Sequence, residues 1–276
     1  PDDSYDIGII IVPKRRRKWL APSSGNENLL SYPILENMKR VCGKVSAMQE
    51  ACLWYWQDDT IEEQVWYYNL ISEMDFLFVH NEIDKNYFKG LTELPCEVLQ
   101  SVIIEDGLKL SDKKDRGVMI GGNFVSIYSG FDSMAIANEY TDDVWAPSMG
   151  RKQKQEDMIE DIHYLPYLSW RDWIMTLGDY NIGVHLMRTH AAGTFAMNCA
   201  FHGIPCIGYY GLDTQEFLHP TTSVNVGDLE KAKEIADKLR DDSDFYDECS
   251  KTSKTFFKKF YTEEAWKHHW NKQFIL

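Results

Sequence analysis

Apolar and polar positions along this chain fall into blocks that alternate between strand and helix. Residues 5–12 read YDIGIIIV, an almost unbroken apolar run of strand length, as a central strand of a parallel sheet should be. Pro13 ends it, and a helix is predicted over about 27–41. Residues 44–56 mix strand signals with aromatics. Thr60 with Glu63 three residues on forms a capping box that opens a helix to about Met74. Residues 75–80, DFLFVH, are a further apolar strand, a short helix follows, and 95–100 close this half with a strand.

Residues 105–116, EDGLKLSDKKDR, are polar and charged and read as an interdomain linker. The alternation then resumes. Strands are predicted at 117–121, 144–147 and 162–165, and helices at 131–140 and from the Ser169 cap to Leu177. The stretch 181–211, NIGVHLMRTHAAGTFAMNCAFHGIPCIGYYG, reads as strand (181–187), loop, helix (191–201), turn and strand (206–210). Gly203 ends that helix and Pro205 bars its continuation. A strand at 223–226 and helices over 228–240 and 244–260 follow, and Thr262-Glu263-Glu264 caps a last aromatic helix. Strands alternating with helices on both sides of a charged linker predict an α/β fold of two Rossmann-like domains. Their spans are 1–110 and 111–260, with a terminal helix at 261–276.

Ligands of open parallel sheets lie beyond the carboxyl ends of the strands, where helix N-termini present free N–H groups. At that end of the 181–187 strand stand Arg188, His190, Gly193 and Thr194. A guanidinium, small residues that let the backbone approach, and a helix dipole together suit a phosphate. Gly121-Gly122-Asn123 stands at another strand end and is read as a second backbone approach, or as a plain turn.

The line H-A-A-G-T-F-A-M-N-C-A-F-H-G-I-P-C-I resembles the donor-binding unit of GT-B glycosyltransferases of the family 4 kind, roughly E-G-F-G-x-x-x-x-E-A-M-A-x-G-x-P-V-I. Gly193 falls on the phosphate-facing glycine and Gly203-Ile204-Pro205 on the G-x-P turn. His190 and Asn198 replace the two glutamates. A His at the first position is also similar to inverting families with a D-x-G-x-x-H line. The resemblance implies two Rossmann-like domains facing across a cleft, the first on the acceptor side and the second binding the nucleotide sugar. It also implies a C-terminal helix crossing back to the first domain. The activity implied is transfer of a hexose-type sugar from a nucleotide-diphosphate sugar, of the UDP kind, to an acceptor hydroxyl, with no further cofactor and no metal. Donor-binding positions would be Gly121, Gly122, Asn123, Tyr164, Arg188, Gly193, Thr194 and Asn198. Tyr164 lies in the loop that holds the base in such enzymes. Asn198 keeps an acceptor and a donor for the ribose hydroxyls. His190 would lie under the sugar. Two other readings stand beside this one: a non-catalytic nucleotide-sugar-binding module, and a GT-B-like sugar-nucleotide epimerase.

The acceptor side requires a general base, and Asp58 and His80 each follow an apolar run at the correct strand end, with Asp59 as a capping alternative. Lys14, Arg15, Arg16, Arg17 and Lys18 directly follow the first strand. A basic run is most often a solvated face, but this position suits a phosphate-bearing acceptor such as modified DNA. A glycan or a lipid-linked sugar fits as well. The net charge of −14 argues against a surface that coats nucleic acid generally. Six scattered cysteines show no metal-ligand spacing and read as buried thiols in a reducing cytoplasm. No apolar run reaches the length of a membrane span, and no P-loop or serine nucleophile elbow is present.

Overall fold

The computed structural model describes residues 4–12, 33–50, 52–111, 114–122, 124, 126–148 and 154–273. The chain divides into two compact units, residues 1–100 with 190–192, and residues 101–189 with 193–276.

The first unit is a four-stranded sheet of β1 (Tyr5–Val12), β2 (Cys42–Gln49), β3 (Phe76–Val79) and β4 (Cys96–Val98), in that spatial order and parallel throughout. Helices α1 (Pro33–Val41), α2 (Ile61–Ser72) and α3 (Glu82–Leu91) connect the strands. Parallel strands covered on both faces must be apolar on both, and all four residues of β3, FLFV, are buried. The core beneath the helices joins Val12, Val45, Leu77 and Val79 to Tyr67, Ile71 and Phe88. The capping box forms as the spacing predicts: the Glu63 carboxylate accepts from the Thr60 amide at 3.0 Å, and Thr60 Oγ1 accepts from the Glu63 amide at 3.4 Å. Asn81 caps α3, its Oδ1 accepting from the Asp84 amide at 2.8 Å.

The second unit is a six-stranded, wholly parallel sheet in the order β10-β9-β8-β5-β6-β7. The strands are β5 (Arg116–Ile120), β6 (Val144–Ala146), β7 (His163–Tyr164), β8 (Tyr180–His185), β9 (Cys206–Tyr209) and β10 (Ser223–Val224). Its helices are α4 (Gly130–Tyr140), α5 (Trp170–Leu177), α6 (Thr194–His202), α7 (Asp213–Leu218), α8 (Leu229–Asp241), α9 (Ser243–Phe260) and α10 (Glu263–Gln273). The chain winds outward from β5 to β7, then returns to place β8 on the other side of β5. That reversal is a topological switch point, and ligands of doubly wound sheets bind beside it. Ile182, Val184 and Leu186 face the core shared with α4 and α8. Alternation puts Gly183 and His185 on the opposite face, toward α6. The linker packs on this unit: Lys114 Nζ donates to the Gly203 carbonyl at 2.9 Å, and Ser111 Oγ to Asp179 Oδ1 at 3.0 Å.

Three elements differ from expectation. Strand β1, read from its apolar run as central, is an edge strand, and Tyr5 and Ile11 are exposed. Helix α6 begins at Thr194, not Ala191, because Gly193 adopts a left-handed conformation, φ 60° and ψ 31°, at its N-cap. Helix α7 lies where no helix is predicted. Its six residues, DTQEFL, are too few to carry a helical apolar period. His219 just beyond it is a fixed neutral histidine: Nδ1 accepts from the Cys206 amide at 3.3 Å and Nε2 donates to the Ala196 carbonyl at 2.9 Å.

Candidate active site

The switch point brings together the ends of β5 and β8. Gly121 and Gly122 follow β5 directly and are buried. The Gly121 amide donates to the Val184 carbonyl at 2.8 Å, which continues the ladder one residue past the strand. A β-carbon on Gly121 would lie 2.5 Å from His185 Cγ and 2.6 Å from Phe195 Cδ1. Gly122 has φ 154°, and a β-carbon there would meet the Tyr128 ring at 2.9 Å. Both positions therefore exclude side chains. Asn123 lies outside the described residues.

The loop after β8 is tied to α4 and to the segment that precedes it. The Leu186 amide donates to Ser133 Oγ at 3.0 Å, and Thr189 Oγ1 to the Ile127 carbonyl at 3.4 Å. Arg188 Nη2 pairs with Asp132 Oδ2 at 3.1 Å, with the Arg188 side chain 60% exposed and that of Asp132 26% exposed. Asp132 lies in the first turn of α4, where the helix dipole favours a carboxylate. One guanidinium nitrogen carries this contact.

Gly193 caps α6, and the exposed Thr194 opens it. The Gly193 carbonyl accepts from Thr214 Oγ1 at 2.9 Å. The first amides of α6 thus follow the loop at the carboxyl end of β8, the position where helix N-termini of such sheets bind anions. Asn198 is buried, 5% exposed, among the apolar residues of α6. Tyr164 in β7 gives its hydroxyl to the Glu156 carbonyl at 3.3 Å, and burial raises its pKa. The neighbouring Tyr167 is 74% exposed. His190 groups with the first unit, apart from Arg188 and Gly193 on either side of it in sequence.

In the first unit, His80 follows β3, and its Nε2 lies 2.7 Å from the Gln49 carbonyl. Burial lowers its pKa, against the opposing pull of the Gln49 and Glu50 backbone, so the ring is neutral near pH 7. Asp58 ends the 3₁₀ segment Leu53–Asp58 and is exposed. Lys14, Arg15, Arg16, Arg17 and Lys18 lie outside the described residues. Asp132 and His185 also stand at this end of the sheet, and the sequence reading did not single them out. The signal for His185 was the strand period: a polar residue two after Gly183 on the face toward α6.

No protein-family model matches the chain, and no curated protein matches it in sequence. Solved structures do. Sucrose-phosphate synthase from Thermosynechococcus elongatus superposes with a TM-score of 0.67 at 9% identity, over 87% of this chain and 69% of that one. HepE of Anabaena, solved in complex with UDP-glucose, gives a TM-score of 0.66 at 11% identity, over 88% of this chain and 75% of that one. A UDP-forming α,α-trehalose-phosphate synthase from Burkholderia xenovorans gives 0.65 at 12%, over 95% and 72%. The chain has the GT-B fold. Its two Rossmann-like units carry the architecture of these glycosyltransferases, and the 3-2-1-4-5-6 strand order of the second unit is the dinucleotide-fold order. Other GT-B structures it resembles are longer, and the chain spans about half of one of them, TarM, at 54%. Among the described residues of this GT-B chain, no cluster of three or more His, Cys, Asp or Glu could hold a metal, and no helix is long and apolar enough to cross a membrane.

Proposed function

We propose that this GT-B protein is a glycosyltransferase that takes its sugar from a nucleotide-diphosphate donor of the UDP type. The observation that carries the reading is the convergence at the switch point of Gly121, Gly122, Arg188 and the N-terminus of α6. Fixed amides and one guanidinium there can hold a diphosphate without a metal, and the same groups stabilise it as it departs as leaving group. Two of the structural neighbours add support, one solved with UDP-glucose and one named as UDP-forming. On the acceptor side, His80 is the better general base of the two candidates, because it is neutral and held at a strand end, whereas Asp58 is exposed.

The basic run bears on the acceptor class. If Lys14 to Lys18 bind a phosphate-bearing acceptor, acceptor affinity falls steeply with salt while donor affinity changes little. A glycan acceptor gives a flat dependence. All six cysteines are free thiols, which suits a reducing compartment such as the cytoplasm.

The test is turnover. Incubation with a panel of nucleotide sugars should release nucleoside diphosphate, faster when the true acceptor is present. Binding without release would make the protein a nucleotide-sugar-binding module, and interconversion of the sugar would make it an epimerase.

A further inference from the structure

One buried polar atom at the switch point has no partner. His185 ends β8, and its Nε2 is sealed from solvent without a hydrogen bond. Its ring lies between two aromatic rings, Tyr128 at 6.1 Å and Phe195 at 5.3 Å between centroids. An orphaned imidazole nitrogen in such a place costs stability unless something else completes it. The surroundings are arranged around this ring. Gly121 lacks a β-carbon because the ring fills that space, and Phe195 is in the first turn of α6, whose N-terminus opens at the same edge. His185 therefore stands at the carboxyl end of a central strand, between the glycine pair and the helix that forms the anion site. Tyr128 packs against Gly122, and its ring centroid lies 6.1 Å from that of His185. Tyr128 is followed by Ser129, a non-glycine residue held at φ 48°. A left-handed serine is a strained backbone position, of a kind that clusters at ligand-binding sites.

We infer that His185 is a further donor-binding residue, whose imidazole Nε2 gives a hydrogen bond to a phosphate oxygen of the nucleoside diphosphate once Tyr128 moves off Gly122. This rests on the reading of the switch point as a diphosphate site. The ring is suited to the role as a neutral donor: burial holds its pKa down at about 4, so it brings a polar N–H without a second fixed charge beside Arg188. A neutral donor strengthens as charge builds on the leaving diphosphate and releases the product more readily than a cation would.

The experiment uses the full chain with UDP, inorganic pyrophosphate and uridine as probes. Imidazole nitrogen signals are followed by NMR in ¹⁵N-histidine-labelled protein, with the His185 signal assigned by its loss in His185→Leu. The His185 signal should shift on saturation with UDP and with pyrophosphate and stay in place with uridine. In calorimetry, His185→Leu should weaken UDP and pyrophosphate about tenfold or more, as loss of a hydrogen bond to a charged group does. His185→Gln, which keeps an N–H donor, should recover part of that loss. Arg188→Ala separates the two inferences. If it weakens both phosphate probes while the His185 signal stays put and His185→Leu binds normally, a resident water is the partner of Nε2 and the inference is overturned, with the diphosphate site intact. If the parent binds neither UDP nor pyrophosphate, both are overturned. Should His185→Leu fail to fold, the signal in the parent, identified by its absence from His185→Gln, decides alone.

Discussion

The hydroxyl of Thr214, in α7, donates to the carbonyl of Gly193 at 2.9 Å, and the same side chain fills the space a β-carbon on Gly193 would occupy. A helix that no apolar period announces thus fixes the cap of α6, the helix proposed to hold the diphosphate. Gly193→Ala combines a left-handed penalty of about 1–2 kcal/mol with a collision against Thr214. Urea unfolding should show a loss of at least about 1 kcal/mol. Thr214→Ala removes the obstacle, so the double variant should be less destabilised than the sum of the single ones. Additive losses would mean that the two residues do not share the space.

The strands, most helices and the G-x-P turn were legible because each rests on local signals: apolar runs in β1 and β3, the Thr60–Glu63 box, and Gly203 with φ 65° closing α6. What was hidden depends on partners distant in sequence. The start of α6 is set by Gly193 against Thr214, 21 residues away. Arg188 was legible as a cation at a strand end, but its pairing with Asp132, 56 residues away, was not. Strand order is likewise non-local, so the switch point between β5 and β8 emerges only once the sheet is assembled.

Arg188 and Asp132 form an exposed pair, and such pairs contribute about 0–1 kcal/mol to stability. Arg188→Ala should therefore leave the urea midpoint nearly unchanged. Its effect should appear in binding, with nucleoside diphosphate affinity reduced by roughly 1.5–3 kcal/mol, the range for a hydrogen bond to a charged group. Titration calorimetry on the folded variant checks this. Unchanged affinity would remove Arg188 from the donor site.

His219 makes stability depend on pH. Its pKa is lowered to about 4, first by burial, against an ordinary value of 6.5. The unfolded chain takes up this proton as pH falls through 6.5, while the folded chain resists until about 4. The contribution is thus complete above pH 6.5 and is lost as pH falls toward 4, about 3 kcal/mol in all. His219→Gln should cost most at pH 7 and progressively less toward pH 4. Unfolding by urea across that range reads the difference. A cost that stays constant with pH would mean that His219 titrates normally in the folded protein.

The acceptor base is tested by separating transfer from donor binding. His80 is held at the end of β3 by the Gln49 carbonyl at 2.7 Å, and its lowered pKa leaves the ring neutral and able to take a proton. A base acts only in the transition state, so its loss should reduce the transfer rate roughly 10²–10⁴-fold and leave donor affinity intact. His80→Gln should show that split, and Asp58→Asn, exposed at the end of its 3₁₀ segment, should show much less. The pH profile adds a readout that a packing role would not move. The parent rate should fall on the acid side through a pKa below 6.5, and that limb should vanish in His80→Gln. If both variants transfer at parental rates, the proton leaves by another route. The donor phosphate itself is then the nearest base, and the reaction retains configuration at the sugar.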